Sequence, residues 1–102
     1  MKKNIFPNDE KLEKISSNVK ILGDKSRLKI IMYLRSGEKC VGDISDAVGL
    51  SQSATSHQLR ILKDSNILKS KKLGNVIYYS IADSHVFTII EALVEHLECL
   101  KG

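Results

Sequence analysis

Tryptophan is absent from this chain of 102 residues, proline occurs once, and aromatic residues make up only 5%. Any core must therefore be aliphatic, and its helices can run without proline breaks. No apolar run approaches the about 20 residues that a membrane-spanning helix needs. Two lysines near the start, Lys2 and Lys3, have no apolar stretch behind them. That predicts no secretory signal and a cytoplasmic protein without a membrane partner. In that compartment the two cysteines, Cys40 and Cys99, stay reduced. Nucleophile motifs and glycine-rich phosphate loops are also lacking, so neither an enzyme nor a small-molecule substrate is expected.

What is present is ordinary in proportion: 42% hydrophobic and 27% charged residues, enough for a single domain spanning residues 1–102. The net charge of +4 points to an acidic partner, with nucleic acid the first candidate.

Periodicity sets out five helices. Residues 1–7 read as a disordered tail closed by Pro7. Asn8 or Asp9 can cap a first helix whose Leu12, Ile15, Val19 and Leu22 form one stripe, ended by Gly23. Asp24 or Ser26 opens a second helix with Leu28, Ile31 and Leu34 inward, stopping at Ser36-Gly37. After a short extended piece, a third helix over residues 41–48 keeps Ile44, Ala47 and Val48 inward. Gly49-Leu50-Ser51 then turns the chain into a fourth helix, with Ser51 as its cap.

That pair, residues 41–65, reads as a helix-turn-helix. Thr55, Leu59 and Leu62 make the inner stripe of its second helix, leaving Gln52, Ser53, Ser56, His57 and Arg60 on the leading outer face. Such side chains contact base edges and phosphates. Two β-like runs follow in residues 67–81, around Gly74-Asn75, where glycine first in a two-residue loop suits a type II′ hairpin. Its first strand carries Lys69, Lys71 and Lys72, placed for phosphate contact. A basic hairpin directly after a helix-turn-helix is a wing. The expected fold is α+β, mainly α: a winged helix-turn-helix of five helices.

The last helix, residues 83–100, carries Val86, Ile90, Leu93, Leu97 and Leu100, widened by Phe87, Ile89 and Val94. So broad an apolar arc exceeds what one small domain covers, and with the first helix it predicts a homodimer interface. The same helix holds Asp83, His85, His96 and Cys99, whose donors are those of a tetrahedral zinc site. At about 1.5 Å rise per residue, His85 and His96 stand roughly 16 Å apart along one face. One helix cannot close them around one ion; two antiparallel copies can, giving two equal sites per dimer.

Taken together these motifs resemble the ArsR/SmtB family of metal-sensing transcriptional repressors. The resemblance is carried by residues 37–44, by Leu50-Ser51-Gln52-Ser53-Ala54-Thr55-Ser56-His57-Gln58-Leu59, by the lysine-rich wing ending in Tyr78-Tyr79-Ser80, and by Asp83-x-His85 with His96. It implies a metal-free dimer that represses by binding operator DNA and releases it when Zn(II) binds Asp83, His85, His96 and Cys99. Glu or His is usual at the last position; Cys99 makes the set softer, suits Cd(II) as well, and disfavours nickel or cobalt. A second, cysteine-based site of other members lacks its ligands here, so Cys40 reads as a buried small hydrophobe. The alternative trigger in the same fold is a thiol or persulfide sensor using Cys40 and Cys99. For coupling, His96 is expected to donate its free ring N–H to a carbonyl near Asn66, where the recognition helix ends.

Overall fold

The computed structural model describes residues 5–101, so the first four residues of the expected tail lie outside it, as do Gly102 and the side chain of Lys101. Five helices and three strands follow in the order α1 (Asp9–Leu22), α2 (Lys25–Tyr33), a 3-10 turn (Leu34–Ser36), β1 (Lys39–Cys40), α3 (Val41–Val48), α4 (Gln52–Asp64), β2 (Leu68–Leu73), β3 (Val76–Ile81) and α5 (Ser84–Lys101).

Four of the five α-helices start at a side chain that takes up a free backbone N–H, the exception being α3, whose cap residue Cys40 makes no such bond. Asn8 accepts from Lys11, Asp24 from Arg27, Ser51 from Ala54, and Asp83 from Val86. The ends are equally local. Gly49 closes α3 in the left-handed region at φ 75°. Asn66 does the same after α4 at φ 60°, the only such non-glycine residue among those described. There the Ile67 N–H donates to the Leu62 carbonyl and the Asn66 N–H to that of Lys63. This is a Schellman closure, with Ile67 and Leu62 both buried.

The core gathers Ile30, Ile31 and Leu34 from α2 and its extension, Ile44 and Val48 from α3, and Leu59 and Leu62 from α4. Ile67, Leu68 and Ile90 complete it. Each such side chain contributes about 1.5–3 kcal/mol on leaving water. One expectation needs correction. Ala47 is exposed, and Ser45 takes the inward place beside Ile44 and Val48. Its hydroxyl can be buried because it donates to the Gly42 carbonyl at 2.9 Å.

The sheet is antiparallel in the order β1-β3-β2, so the extended piece at Lys39–Cys40 becomes a third strand beside the hairpin. Leu73 pairs with Val76 across a two-residue loop. Gly74 has φ 62° and Asn75 lies outside the positive region, as a type II′ turn requires. The architecture is a winged helix-turn-helix, with α3 and α4 as the helix pair and β2–β3 as the wing.

Two helices meet this core along only part of their length. No residue of α1 is buried. Among the described side chains of α5 only Ile90 is fully enclosed, while Ile89, Leu93, Leu97 and Leu100 remain open, Leu97 to 62%. The radius of gyration, 15.8 Å, exceeds the about 13 Å of a compact chain this long. Both helices present exposed apolar stripes, Leu12, Ile15 and Val19 on α1 and Ile89, Leu93, Leu97 and Leu100 on α5.

Candidate nucleic-acid interface and metal centre

α4 is anchored by its inner stripe, Thr55, Leu59 and Leu62, all buried. This aims the other side of its N-terminal half outward. Gln52, Ser53, Ser56, His57 and Arg60 are all exposed, and the Ser53 hydroxyl lies 3.3 Å from that of the capping Ser51. Between this helix end and the wing tip lies a depression of about 360 Å³, bordered by Gly42, Gln52, Ser56, Asn75 and Ile77, with Cys40 at its margin. The sequence did not disclose it, because it forms only when β3 folds back beside α3.

The three wing lysines are exposed but do not act as one row. Directly paired residues of neighbouring strands share a face. Lys69 pairs with Ser80 and Lys71 with Tyr78, whereas Lys72 pairs with Ile77. The face bearing Leu68, Tyr79 and Ile81 packs on the core. Lys72 therefore extends the core side toward the depression beside α4, and Lys69 and Lys71 point from the opposite side. Lys71 is also partnered, with Nζ 3.2 Å from Glu38 Oε1. Sequence reasoning missed Glu38, and no local signal could reveal it: the pair spans β3.

The expected metal donors sit at the two ends of α5. Asp83 caps it, with Oδ1 accepting the Val86 N–H at 3.0 Å, and its carboxylate lies 3.7 Å from His85 Nδ1. Their side chains are 54% and 91% exposed. His96 and Cys99 are exposed in the last turns, and Cys99 is a free thiol. Among the described residues no three His, Cys, Asp or Glu side chains of one chain converge. This is the separation that helix rise dictates. The donors fit an ion in halves: an oxygen and a nitrogen at one end, a nitrogen and a sulfur at the other, all open to a second copy. At about 100° per residue His85 and His96 border the exposed stripe of Ile89, Leu93 and Leu100.

The expected donation from a metal-bound His96 to a carbonyl near Asn66 concerns the paired chains; in one chain the Ser65–Asn66 turn borders a cleft against Lys14, Ser17 and Asn18 of α1. One other expectation comes out differently. Cys40 is half-buried on β1 and unbonded to Cys99.

A helix-turn-helix pair with an exposed polar face on its second helix, followed by a basic hairpin, defines the class of winged helix-turn-helix proteins. Comparison with known proteins narrows the class. The model of the bacterial regulatory protein arsR family matches residues 24–70. A transcriptional repressor SmtB homolog of Synechocystis is 42% identical over 77 residues, 76% of this chain and 58% of that protein. The HTH-type transcriptional regulator NmtR of Mycobacterium tuberculosis is 37% identical over 84% of this chain and 72% of its own length. A cadmium resistance transcriptional regulatory protein CadC homolog of Staphylococcus aureus is 40% identical over 76% of this chain and 64% of its own. This chain thus spans less than two thirds of the first and third of these relatives.

Among solved structures, the AntR antimony-specific transcriptional repressor superposes with a TM-score of 0.82 at 32% identity, covering 99% of this chain and 91% of that one. A homodimeric winged helix-turn-helix DNA-binding domain from Mycobacterium bovis gives 0.79 at 28% identity, covering 93% and 90%. The chain belongs to the arsR family of bacterial regulatory proteins.

Proposed function

We propose that this protein is a homodimeric transcriptional repressor that binds operator DNA without metal and lets go of it when Zn(II) or Cd(II) binds between the last helices. The observation that carries the reading is the split donor set: Asp83 with His85 at one end of α5, His96 with Cys99 at the other, flanking an uncovered apolar stripe. A twofold axis through that stripe makes one dimer from two incomplete halves.

In the metal-free dimer, the exposed stripes of α1 and α5 bury each other and hold the two α4 helices apart at a fixed spacing. Ser53, Ser56 and His57 approach base edges in the major groove, while Gln52, Arg60 and the wing lysines hold phosphates. Lys72 is the wing lysine nearest the groove beside α4; Lys71 must first leave Glu38. A bound ion supplies a tetrahedral template that ties Asp83 and His85 of one copy to His96 and Cys99 of the other. Support for a soft metal comes from the Cys99 thiol and from relatives named for cadmium resistance and antimony specificity. By linkage, bound operator weakens metal affinity by the same factor as metal weakens operator affinity.

The test is fluorescence anisotropy of operator binding under reducing conditions, with zinc, cadmium, nickel and chelator compared. Zinc or cadmium is expected to lower affinity by about 5–150-fold, the range of ordinary allosteric coupling. No loss with any metal sinks the sensor reading. A Cys40→Ser variant that loses the response would shift the trigger to the thiols.

A further inference from the structure

Arg27 joins two helices that otherwise leave space between them. Its Nε–H donates to the Ile21 carbonyl at 2.8 Å, and its Nη1 donates to Gln58 Oε1 at 3.0 Å. Ile21 lies in the last turn of α1, where carbonyls have no partner within the helix. The Gly23 N–H serves those of Val19 and Lys20, and Arg27 takes the next one. A guanidinium there also complements the negative end of the helix dipole. Gln58 is half-buried on α4, one residue from His57 on the outer face. The root of the Arg27 side chain is fixed as well, because its backbone N–H donates to the capping Asp24 at 3.0 Å.

Farther back along α1, Lys14, Ser17 and Asn18 face Ser65 and Asn66, just past the end of α4, across a cleft of about 390 Å³. α1 is thus tied to the middle of α4 by a polar fork and left unfilled against its C-terminal end. The open end leaves room for a pivot, and the fork makes a movement of α1 felt by α4.

We propose that Arg27 is a positioning residue that sets the pitch of the recognition helix from α1. Rearrangement of the dimer layer reaches the DNA face through Ile21, Arg27 and Gln58. The inference rests on the reading of α1 and α5 as the dimer layer and of α4 as the DNA reader. A lysine cannot replace the arginine, since one ammonium lacks the planar fork that serves two acceptors.

The experiment uses the full chain as Arg27→Lys, Gln58→Met and the double variant. Amide hydrogen exchange is followed in the metal-free dimer, and binding is compared on a site selected from random duplexes and on non-selected DNA. Faster exchange confined to the end of α1 and the middle of α4 is expected in each variant. Preference for the selected site should fall about tenfold, the scale of one hydrogen bond to a charged group, with non-selected binding unchanged. The double variant should be no worse than either single one. Unchanged exchange, additive losses, or equal loss on both DNAs would overturn the link. If wild type selects no site at all, the DNA reading falls and takes the pitch-setting role with it, whatever exchange reports on the fork.

Discussion

Asp83 has two jobs that substitutions can separate. Its Oδ1 caps α5 by accepting the Val86 N–H at 3.0 Å and also lies 3.7 Å from His85 Nδ1, which leaves the carboxylate charge and the second oxygen for an ion. Asparagine caps as well as aspartate, whereas alanine costs about 1 kcal/mol at such a position. For a chain of this size that is a drop of roughly 4–8 °C in melting temperature, compared at one chain concentration because dimers melt by mass action. Asp83→Asn should therefore melt like wild type without metal, and Asp83→Ala clearly lower. Zinc should divide them differently. At free zinc about 100 times Kd, a site contributes about 2.7 kcal/mol to the wild-type dimer. Even indirect partners of a metal are worth 10–100-fold in affinity, and a direct ligand at least that. A 100-fold weaker site at the same zinc level contributes only about 0.4 kcal/mol. Differential scanning calorimetry with and without zinc reads both effects. If Asp83→Asn keeps the full zinc-induced rise, the carboxylate is no ligand; if Asp83→Ala melts with Asp83→Asn, the cap contributes nothing.

Two further outcomes follow from burial. Thr55 is fully enclosed on α4 and its hydroxyl has no hydrogen-bond partner among the described residues. Thr55→Val should be neutral or raise stability by up to about 1 kcal/mol in urea titration, and a loss larger than that would reveal a partner the fold does not display. Leu93 is 49% exposed in the single chain yet central to the α5 stripe. Leu93→Glu places two charges in the dimer layer and should sediment as a monomer at micromolar concentration; a variant that remains dimeric refutes that face.

Much of the fold was legible because its signals are local. Ser51 and Gly49 framed the turn between α3 and α4, and glycine before asparagine specified the wing's loop type. The bounds of α4 followed from its cap and from the repeat of Thr55, Leu59 and Leu62. Readings that depend on distant parts of the chain fared less well. Ala47 and Ser45 flank the Ile44–Val48 stripe on opposite sides of a short helix, and the hydrogen bond to Gly42 lets the polar one be buried. β1 could be read as extended but not as a partner of β3, since register between remote strands leaves no mark in composition. The lysine run concealed that Lys72 faces away from Lys69 and Lys71. For the metal donors, spacing alone anticipated their separation in pairs. The expected route from His96 to Asn66 depends on the paired, metal-bound chains; within one chain α1 borders that turn.

The uncovered state of α1 bears on the lifetime of the protein. None of its 14 residues is buried, and an isolated helix of that length is marginal in water. Separated copies would let this segment fray into an accessible strand of the sort proteases cut first. A lone copy could occupy only half of a palindromic site while consuming it. Helix content that depends on pairing makes those copies the ones removed, so turnover would favour the assembled form and hold the pool of half-competent chains low.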